Sequence, residues 1–189
     1  KQFKRNWFIN KLDAGFAYIT GWNFDTWANI RLWKSSLQSS IEEFKPDLVY
    51  VRGAGMNFHP HIAMSSMHLP VPWVANYHDP FPISLYPEPY CQKRFLMSSN
   101  QESWNQNVLN RATAITFPSN RLRDWELKGQ KQSIREKSFI IPHLASEVPG
   151  EPTTIPELLK FDPANFNLLH MGTLLGPRNP DTLFNVLYR

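Results

Sequence analysis

The sequence has few of the features that identify secreted, metal-binding or membrane-spanning proteins. Its single cysteine, Cys91, excludes an internal disulfide and a paired-cysteine metal site. No apolar run approaches the roughly 20 residues that cross a bilayer, and there is neither an internal repeat nor a low-complexity tract. The chain begins at Lys1 without a methionine or a signal peptide, so we expect it to be part of a longer protein. Its 189 residues, 42% of them hydrophobic, have the composition of a globular protein with a core.

The charge of the chain is mildly basic and dispersed. A net charge of +4 favours anionic partners, but no recognised nucleic-acid-binding motif is present, which argues against DNA or RNA as a partner. Two segments, residues 1–12 and 121–137, concentrate basic residues. Each is interpreted either as a helix with a solvated charged face or as a surface that contacts an anionic membrane, and both interpretations stay open.

Residues 47–82 have the clearest structural pattern in the chain. Two short apolar runs, Leu48–Val51 and Pro72–Tyr77, predict strands, and apolar residues at helical spacing between them predict a helix. A strand, a helix and a strand of these lengths form a right-handed βαβ unit with parallel, buried strands. Because ligands bind at the carboxyl ends of parallel strands, we predict a site built from the polar residues there. They are Arg52, His59, His61, His78 and Asp79.

The remaining pattern extends this unit into an α/β fold, with a Rossmann-like parallel sheet and helices on both faces. The further predicted strands are Phe16–Thr20, Ala112–Pro118, Ser138–Pro142 and Phe166–Met171. The predicted helices are residues 1–12, Thr26–Phe44, Phe95–Arg111, one capped by Ser119 and ended by Gly129, and one that begins at Asn179-Pro180.

The composition also predicts domain boundaries. The stretch after Pro142 is polar and rich in proline and glycine, which is typical of an interdomain linker. We expect an amino-terminal domain over residues 1–145, a linker over 146–165, and the opening βα unit of a second domain over 166–189.

Five segments together resemble the retaining GT-B glycosyltransferases of the family-4 type. They are PDLVYVRG, LPVPWVANYHDPFP, ATAITFPSNRLRDW, SFIIPHLASEVP and FNLLHMGTLLGPRNPDTLF, which follow one another in the family's order and cover most of Pro46–Leu187. The resemblance implies two Rossmann-like domains that face a cleft, with the acceptor in the first and the nucleotide-sugar in the second. The chain would then contain the acceptor domain, the linker and the opening of the donor domain.

The sequence departs from the family's pattern in several places. The usual first strand, with its glycine-rich loop, is not recognisable before residue 20. The glutamate pair that holds the donor is expected beyond Arg189, so the chain alone is expected to be inactive. His143-Leu144 stands where Asn-Gly is common, and Arg178 stands where lysine is more frequent. Arginine keeps the positive charge but changes the geometry of its hydrogen-bond donors.

The resemblance implies roles for the residues at the strand ends, and each has a structural alternative. His78 and Asp79 are expected at the reaction centre. The histidine is expected to contact the transferred sugar or to stabilise charge there, and Asp79 to orient a loop or to contact the acceptor. The alternatives are a structural histidine and an Asp-Pro turn. Arg52, His59 and His61 are expected to line the acceptor pocket. A zinc site from the three histidines is conceivable, but transferases of this family need no metal, so no metal is expected.

On the donor side, the resemblance implies contacts to the diphosphate of the nucleotide-sugar. Gly172 and Thr173 are expected to let the backbone approach the diphosphate, and Arg178 precedes a helix start, where anions bind. The alternative for Arg178 is a surface arginine in a loop. No cofactor is expected, because the nucleotide-sugar is a substrate.

The predicted function is transfer of a sugar from a nucleotide-sugar to a glycan or lipid-linked acceptor in polysaccharide biosynthesis, with retention. The expected location is the cytoplasm, with peripheral contact to the inner face of the membrane as an open alternative. A second candidate function is a noncatalytic Rossmann-like module that binds a nucleotide or a sugar. A third is a nicotinamide-dependent oxidoreductase, and the absence of a GxGxxG motif after a strand argues against it.

Overall fold

The chain divides into two compact units, Lys1–His143 and Leu144–Arg189. A computed structural model describes residues 7–20, 22–53, 58–82, 85–86, 88, 90–91, 95–143, 164–165, 167 and 180–188. In the second unit it describes one helix, Asp181–Leu187, at the place where Pro180 predicts a helix start. Most of the predicted linker and of the strand Phe166–Met171 lies outside the described residues, so the domain boundaries stay predictions.

The described residues of the first unit form a parallel sheet of four strands. They are β1 (Val49–Arg52), β2 (Trp73–Asn76), β3 (Ala114–Phe117) and β4 (Ser138–Ile140). The strands lie in the order β1-β2-β3-β4, and every neighbouring pair is parallel. The carboxyl ends of the strands agree in register to within one residue, since Arg52 pairs with Asn76, Asn76 with Thr116, and Phe117 with Ile140. The predicted α/β fold with a parallel sheet is therefore confirmed.

Helices precede the sheet and connect its strands. They are α1 (Trp7–Thr20), α2 (Phe24–Phe44), α3 (His59–Ser65), α4 (Phe95–Arg111), α5 (Asn120–Glu126) and α6 (Gln132–Glu136). The side chain of Asn23 accepts a hydrogen bond from the Thr26 N–H at the start of α2, and Ser119 does the same for Leu122 at the start of α5. After α2 the chain takes a left-handed turn at Lys45, with φ of 45°. A left-handed residue of this kind is a common helix end.

The predicted strand Phe16–Thr20 is wrong, because these residues are the last part of helix α1. The run is rich in aromatic and β-branched residues, which favours a strand locally, but tertiary contacts override this preference. Phe16 stacks on Phe24 with ring centroids 5.6 Å apart, and the Asp13 carboxylate accepts a hydrogen bond of 2.6 Å from the Phe24 N–H. In the helical conformation of α1, both Asp13 and Phe16 reach the start of α2.

The hydrophobic core lies between the sheet and the helices that connect its strands. It includes fully buried residues of β2, β3, α3 and α4, since a parallel strand between two neighbours is covered by its crossover helices. They are Ala63, Ala75, Leu109, Ile115 and Phe117. Tyr77, directly after β2, is also fully buried. This core packs around the carboxyl ends of β2 and β3, and the predicted site follows those ends.

Candidate functional site

Three basic side chains from three strand ends meet at the carboxyl edge of the sheet. Arg52 is the last residue of β1, His78 follows β2, and His143 follows β4. The Arg52 Nε–H donates a hydrogen bond of 2.8 Å to Nε2 of His78. The imidazole rings of His78 and His143 stack with centroids 4.8 Å apart and an angle of 14° between their planes. We call Arg52, His78 and His143 the strand-end cluster.

The environment of His78 favours its neutral form. Burial lowers the pKa of His78, and the positive charges of Arg52 and His143 lower it further, while the charge of Asp79 acts in the opposite direction. Since Nε2 accepts the hydrogen bond from Arg52, the neutral ring carries its proton on Nδ1. At neutral pH the side chain therefore offers an N–H donor next to a fixed positive charge, and this combination suits hydroxyl or phosphate oxygens.

Asp79 and His59, two further residues of the predicted site, lie in different settings. Asp79 is partly exposed in the turn after His78, and its charge acts on both His78 and Tyr86. His59 is the first residue of α3 and is half-buried, and this burial lowers its pKa. The proposed acceptor role of His59 and the reaction-centre role of Asp79 stay predictions.

His61 is fully buried inside the first unit. Its Nε2 lies 3.0 Å from the Asn76 carbonyl oxygen, and its ring packs on Phe58 and Tyr77. Burial lowers the pKa of His61 to about 4, although the bond to Asn76 acts in the opposite direction. A direct contact between this ring and an acceptor would require its neighbours to move. In the described conformation, His61 supports the end of β2 from within the core.

The donor-side residues predicted from the sequence, Gly172, Thr173 and Arg178, lie outside the described residues. The described part of the chain also contains no group of three or more histidine, cysteine, aspartate or glutamate side chains placed to hold a metal ion. In particular, His59, His61 and His78 do not form such a group.

A buried polar network lies beneath the turn that carries His78 and Asp79. The Tyr77 hydroxyl donates a hydrogen bond of 2.7 Å to Oδ1 of Asn105, a residue of α4. The Asn105 amide group in turn donates to the Phe81 carbonyl at 2.8 Å and to Oε1 of Glu126, a residue of α5, at 2.7 Å. The other Glu126 oxygen accepts a bond of 3.0 Å from the Phe81 N–H. We call Tyr77, Asn105 and Glu126 the turn network.

Burial perturbs the titration of this network strongly. It raises the pKa of Glu126 to about 7, although the hydrogen bonds from Phe81 and Asn105 act in the opposite direction. Burial and the charge of Glu126 also raise the pKa of Tyr77 well above its ordinary value. Titratable groups with such shifts concentrate at functional sites, but they also occur in structural networks. The position of Glu126, under the predicted reaction centre, is the reason to consider it further.

Sequence reasoning did not include His143 or Glu126 in the site. The signal for His143 was available, because the residues after every parallel strand reach the same edge of the sheet. Glu126 belongs to a highly charged segment that suggests a solvated helix. It nevertheless lies four residues after Leu122, which packs against the core, so both residues are on the inner face of α5.

The strand-end cluster predicts a coupling between two side chains. In an Arg52→Gln variant, we expect the pKa of His78 to rise, because one of the positive charges that lower it is removed. The measurement is an NMR pH titration of the histidine rings, with His78 assigned by a His78→Gln variant. Arg111→Gln is the matched control, since Arg111 bonds to the Met67 carbonyl, away from this edge. An unchanged His78 pKa in Arg52→Gln would contradict the contact.

Glu126 and His61 predict opposite effects of pH on stability. The raised pKa of Glu126 contributes stability that is present below about pH 4.5 and is lost as the pH rises to about 7. The lowered pKa of His61 contributes stability that is present above about pH 6.5 and is lost as the pH falls to about 4. Each effect on the unfolding free energy is on the order of 3 kcal/mol. The two effects therefore largely cancel between about pH 4.5 and 6.5.

We therefore expect the unfolding free energy of Glu126→Gln to rise with pH between about 4.5 and 6.5 more steeply than that of the wild type. For His61→Gln we expect a fall with pH over the same range. Denaturant unfolding at a series of pH values measures both slopes. If Glu126→Gln and the wild type have equal slopes, the raised pKa of Glu126 is refuted.

The match to a known family covers the unit that contains these features. Residues 10–143 match the family model described as Glycosyltransferase Family 4, and this range holds the whole sheet, the strand-end cluster and the turn network. No curated protein and no solved structure matches the chain. The match covers well over half of the sequence, and it associates the chain with the transfer of a sugar from a donor to an acceptor. The chain belongs to glycosyltransferase family 4.

Proposed function

We propose that the first unit is the acceptor side of a glycosyltransferase that moves a sugar from a nucleotide-sugar to a glycan or lipid-linked acceptor, with retention of configuration. The observation that carries this proposal is the strand-end cluster, which lies inside the region matched by the family. Polysaccharide biosynthesis is the process in which we place the reaction.

The chemistry of the cluster suits this reaction. The bond between the sugar and the diphosphate breaks, its electron pair leaves with the nucleotide, and an acceptor hydroxyl forms the new bond and loses its proton. Negative charge therefore develops on the leaving phosphate, and fixed positive groups stabilise it. Neutral His78 donates from Nδ1 to a sugar oxygen, and Arg52 supplies a charge beside it. Asp79 is proposed to accept a hydrogen bond from a hydroxyl group at the same place.

Acceptor and donor contacts complete the proposal. Arg52 and His59 are proposed to line the acceptor pocket, with His61 behind them in the core. Gly172, Thr173 and Arg178 are proposed to bind the donor diphosphate, and the arginine side chain supplies charge-assisted hydrogen bonds to its oxygens. This division of roles makes the function of the first unit dependent on the donor domain.

A contact with an anionic membrane is a further part of the proposal. Helices α1 and α2 expose large apolar side chains around one shallow cavity, among them Phe16, Phe24, Trp27 and Leu32. The Arg31 guanidinium lies over the Trp27 ring, 5.6 Å from its centroid. Aromatic residues beside cations favour the interface of anionic lipids. Within the described residues, no helix combines the length and apolar character needed to cross a bilayer.

The other basic segment is a weaker candidate for membrane contact, because several of its cations bond within the protein. Arg123 pairs with Asp124 at 3.1 Å, Arg135 donates to the Leu127 carbonyl, and Lys137 donates to the Ala112 carbonyl. We therefore propose that α1 and α2 face the membrane, on its anionic cytoplasmic side. The proposed location is the cytoplasm with peripheral contact to this surface.

The proposed role of His78 predicts a loss of turnover. In the full-length protein we expect His78→Ala to lower kcat by about 100-fold, the usual effect of removing one donor from a developing charge. Sugar transfer is measured with a panel of nucleotide-sugars and the cognate acceptor. His68→Ala is the matched control, since His68 is an exposed histidine in the loop before β2. Turnover of His78→Ala within a few-fold of the wild type would remove His78 from the reaction centre.

The proposed membrane surface predicts selective lipid binding. We expect the protein to cosediment with vesicles that contain phosphatidylserine, and less with pure phosphatidylcholine vesicles, because binding combines apolar burial with charge attraction. Trp27→Ser with Leu32→Ser should abolish most of this binding. Phe139→Ser, which removes an exposed aromatic side chain from β4, should leave it unchanged. Equal cosedimentation of the double variant and the wild type would exclude α1 and α2 as the contact.

A further inference from the structure

The turn that carries His78 and Asp79 follows buried Tyr77, and on its other side it is held by the peptide groups of Phe81. Its N–H donates to a Glu126 oxygen at 3.0 Å, and its carbonyl accepts from the Asn105 amide at 2.8 Å. Glu126 and Asn105 also bond to each other at 2.7 Å. The main chain at Phe81 is therefore held on both sides by two side chains from different helices. All three residues are buried.

The geometry of these bonds corresponds to an ionised Glu126. Both carboxylate oxygens accept hydrogen bonds from N–H groups, one from Phe81 and one from Asn105. The Asn105 amide orientation follows from its partners, because its oxygen accepts from the Tyr77 hydroxyl and its nitrogen faces the Phe81 carbonyl. A proton on Glu126 would convert one carboxylate oxygen into an O–H group that faces an N–H donor. One of the two hydrogen bonds would then weaken.

Other titratable groups lie around Glu126. The Tyr77 hydroxyl bonds to Asn105. Burial raises the pKa of Tyr77 well above its ordinary value, and the charge of Glu126 raises it further. Burial, then the charge of Asp79 and then that of Glu126 raise the pKa of Tyr86. Glu126 and Asn105 line a cavity of about 560 Å³. Ionisable side chains from α4, from the segment after the turn and from the residues after α5 also line this cavity. They are Glu88, Cys91, Glu102 and Lys128. Burial is the largest influence on Glu126, and it brings the pKa of this group to about 7.

We propose that Glu126 is a positioning residue that sets the orientation of the His78–Asp79 turn through the peptide groups of Phe81, and that protonation of Glu126 loosens this turn. The inference rests on the proposed function, because it makes the presentation of His78 to a sugar substrate depend on a residue that touches no substrate. Between pH 6 and 8 the fraction of protein with an ordered turn would then rise with pH.

The sequence offers a direct probe of the Phe81 amide. Proline precedes phenylalanine only at Pro80-Phe81, so a protein labelled with ¹³C-carbonyl proline and ¹⁵N-phenylalanine gives one correlated NMR signal for this peptide. We expect the Phe81 signal of the wild type to shift with a midpoint near pH 7. In Glu126→Gln the inflection near pH 7 should be absent. Glu102→Gln, which removes another carboxylate that lines the same cavity, should retain it.

An absence of any inflection between pH 6 and 8 in the wild type would overturn the proposal, as would an inflection that persists in Glu126→Gln. The wild-type titration decides this point even where the variant fails to fold. An inflection below pH 6.5 that disappears in His78→Gln would assign the titration to His78 instead, and would also overturn the proposal.

Turnover of the full-length protein tests the positioning role itself. Misplacement of a reacting group by about 1 Å costs on the order of 100-fold in rate, so we expect Glu126→Gln to lower kcat by about 10-fold or more at pH 8. The ratio of wild-type to variant kcat should become smaller at pH 6, where the wild-type turn is loosened too. A ratio near one at pH 8, in a variant that has lost the Phe81 inflection, would overturn the positioning role.

The two proposals fail in different ways. A wild type that shows the Phe81 inflection but transfers no sugar from any donor would overturn the proposed function while supporting the link between Glu126 and the turn. A wild type that transfers sugar but lacks the inflection would overturn the role of Glu126 alone.

Discussion

All four strands of the sheet run in one direction, and the candidate site depends on this. A parallel pair cannot be joined by a short hairpin, so each connection must return across the sheet through a helix. Every strand therefore ends at the same edge, and side chains far apart in sequence become neighbours there. Arg52, His78 and His143 come from three such ends. No local segment of the chain contains this cluster.

The position of His78 depends more on the buried turn network than on its exposed partners, Arg52 and His143. The Arg52 contact is exposed, and water competes for its hydrogen bond, whereas a typical intramolecular hydrogen bond contributes about 0.5–1.5 kcal/mol net. Hydrogen bonds to a buried charged group contribute about 1.5–3 kcal/mol, and leaving such a group unpaired is costly. The bonds among Asn105, Glu126 and Phe81 therefore fix the turn, and the exposed contacts select the orientation of the ring.

Much of the fold was predictable because strands buried on both faces are continuous apolar runs. The four strands of the first unit and the helix Phe95–Arg111 lie where the pattern placed them, with ends shifted by one or two residues. The run Phe16–Thr20 shows the limit of this reasoning, since four of its five residues prefer strands, yet the run is helical and contacts Phe24 and α4. Its neighbours in space are not its neighbours in sequence.

The site was predictable to the level of the sheet edge but not of individual contacts. The rule on strand ends identified Arg52 and His78, which the structure brings together. It cannot distinguish an exposed histidine from a buried one, so it groups His61 with His59 although the His61 ring lies in the core. The burial of Glu126 could not be predicted from its own segment. A carboxylate inside a protein depends on partners from distant segments, here Asn105 and Phe81.

The two prolines that flank Phe81 have a consequence for how the turn is held. Proline has no backbone N–H, so neither Pro80 nor Pro82 can donate a main-chain hydrogen bond. Among residues 80–82, only Phe81 offers such a donor, and the Glu126 carboxylate binds it. A carboxylate that faced Pro80 or Pro82 instead of Phe81 would have no backbone N–H to bind. The carboxylate at residue 126 and the spacing of the two prolines therefore depend on each other. A change in one would break the hydrogen bond to Phe81 unless the other changed as well.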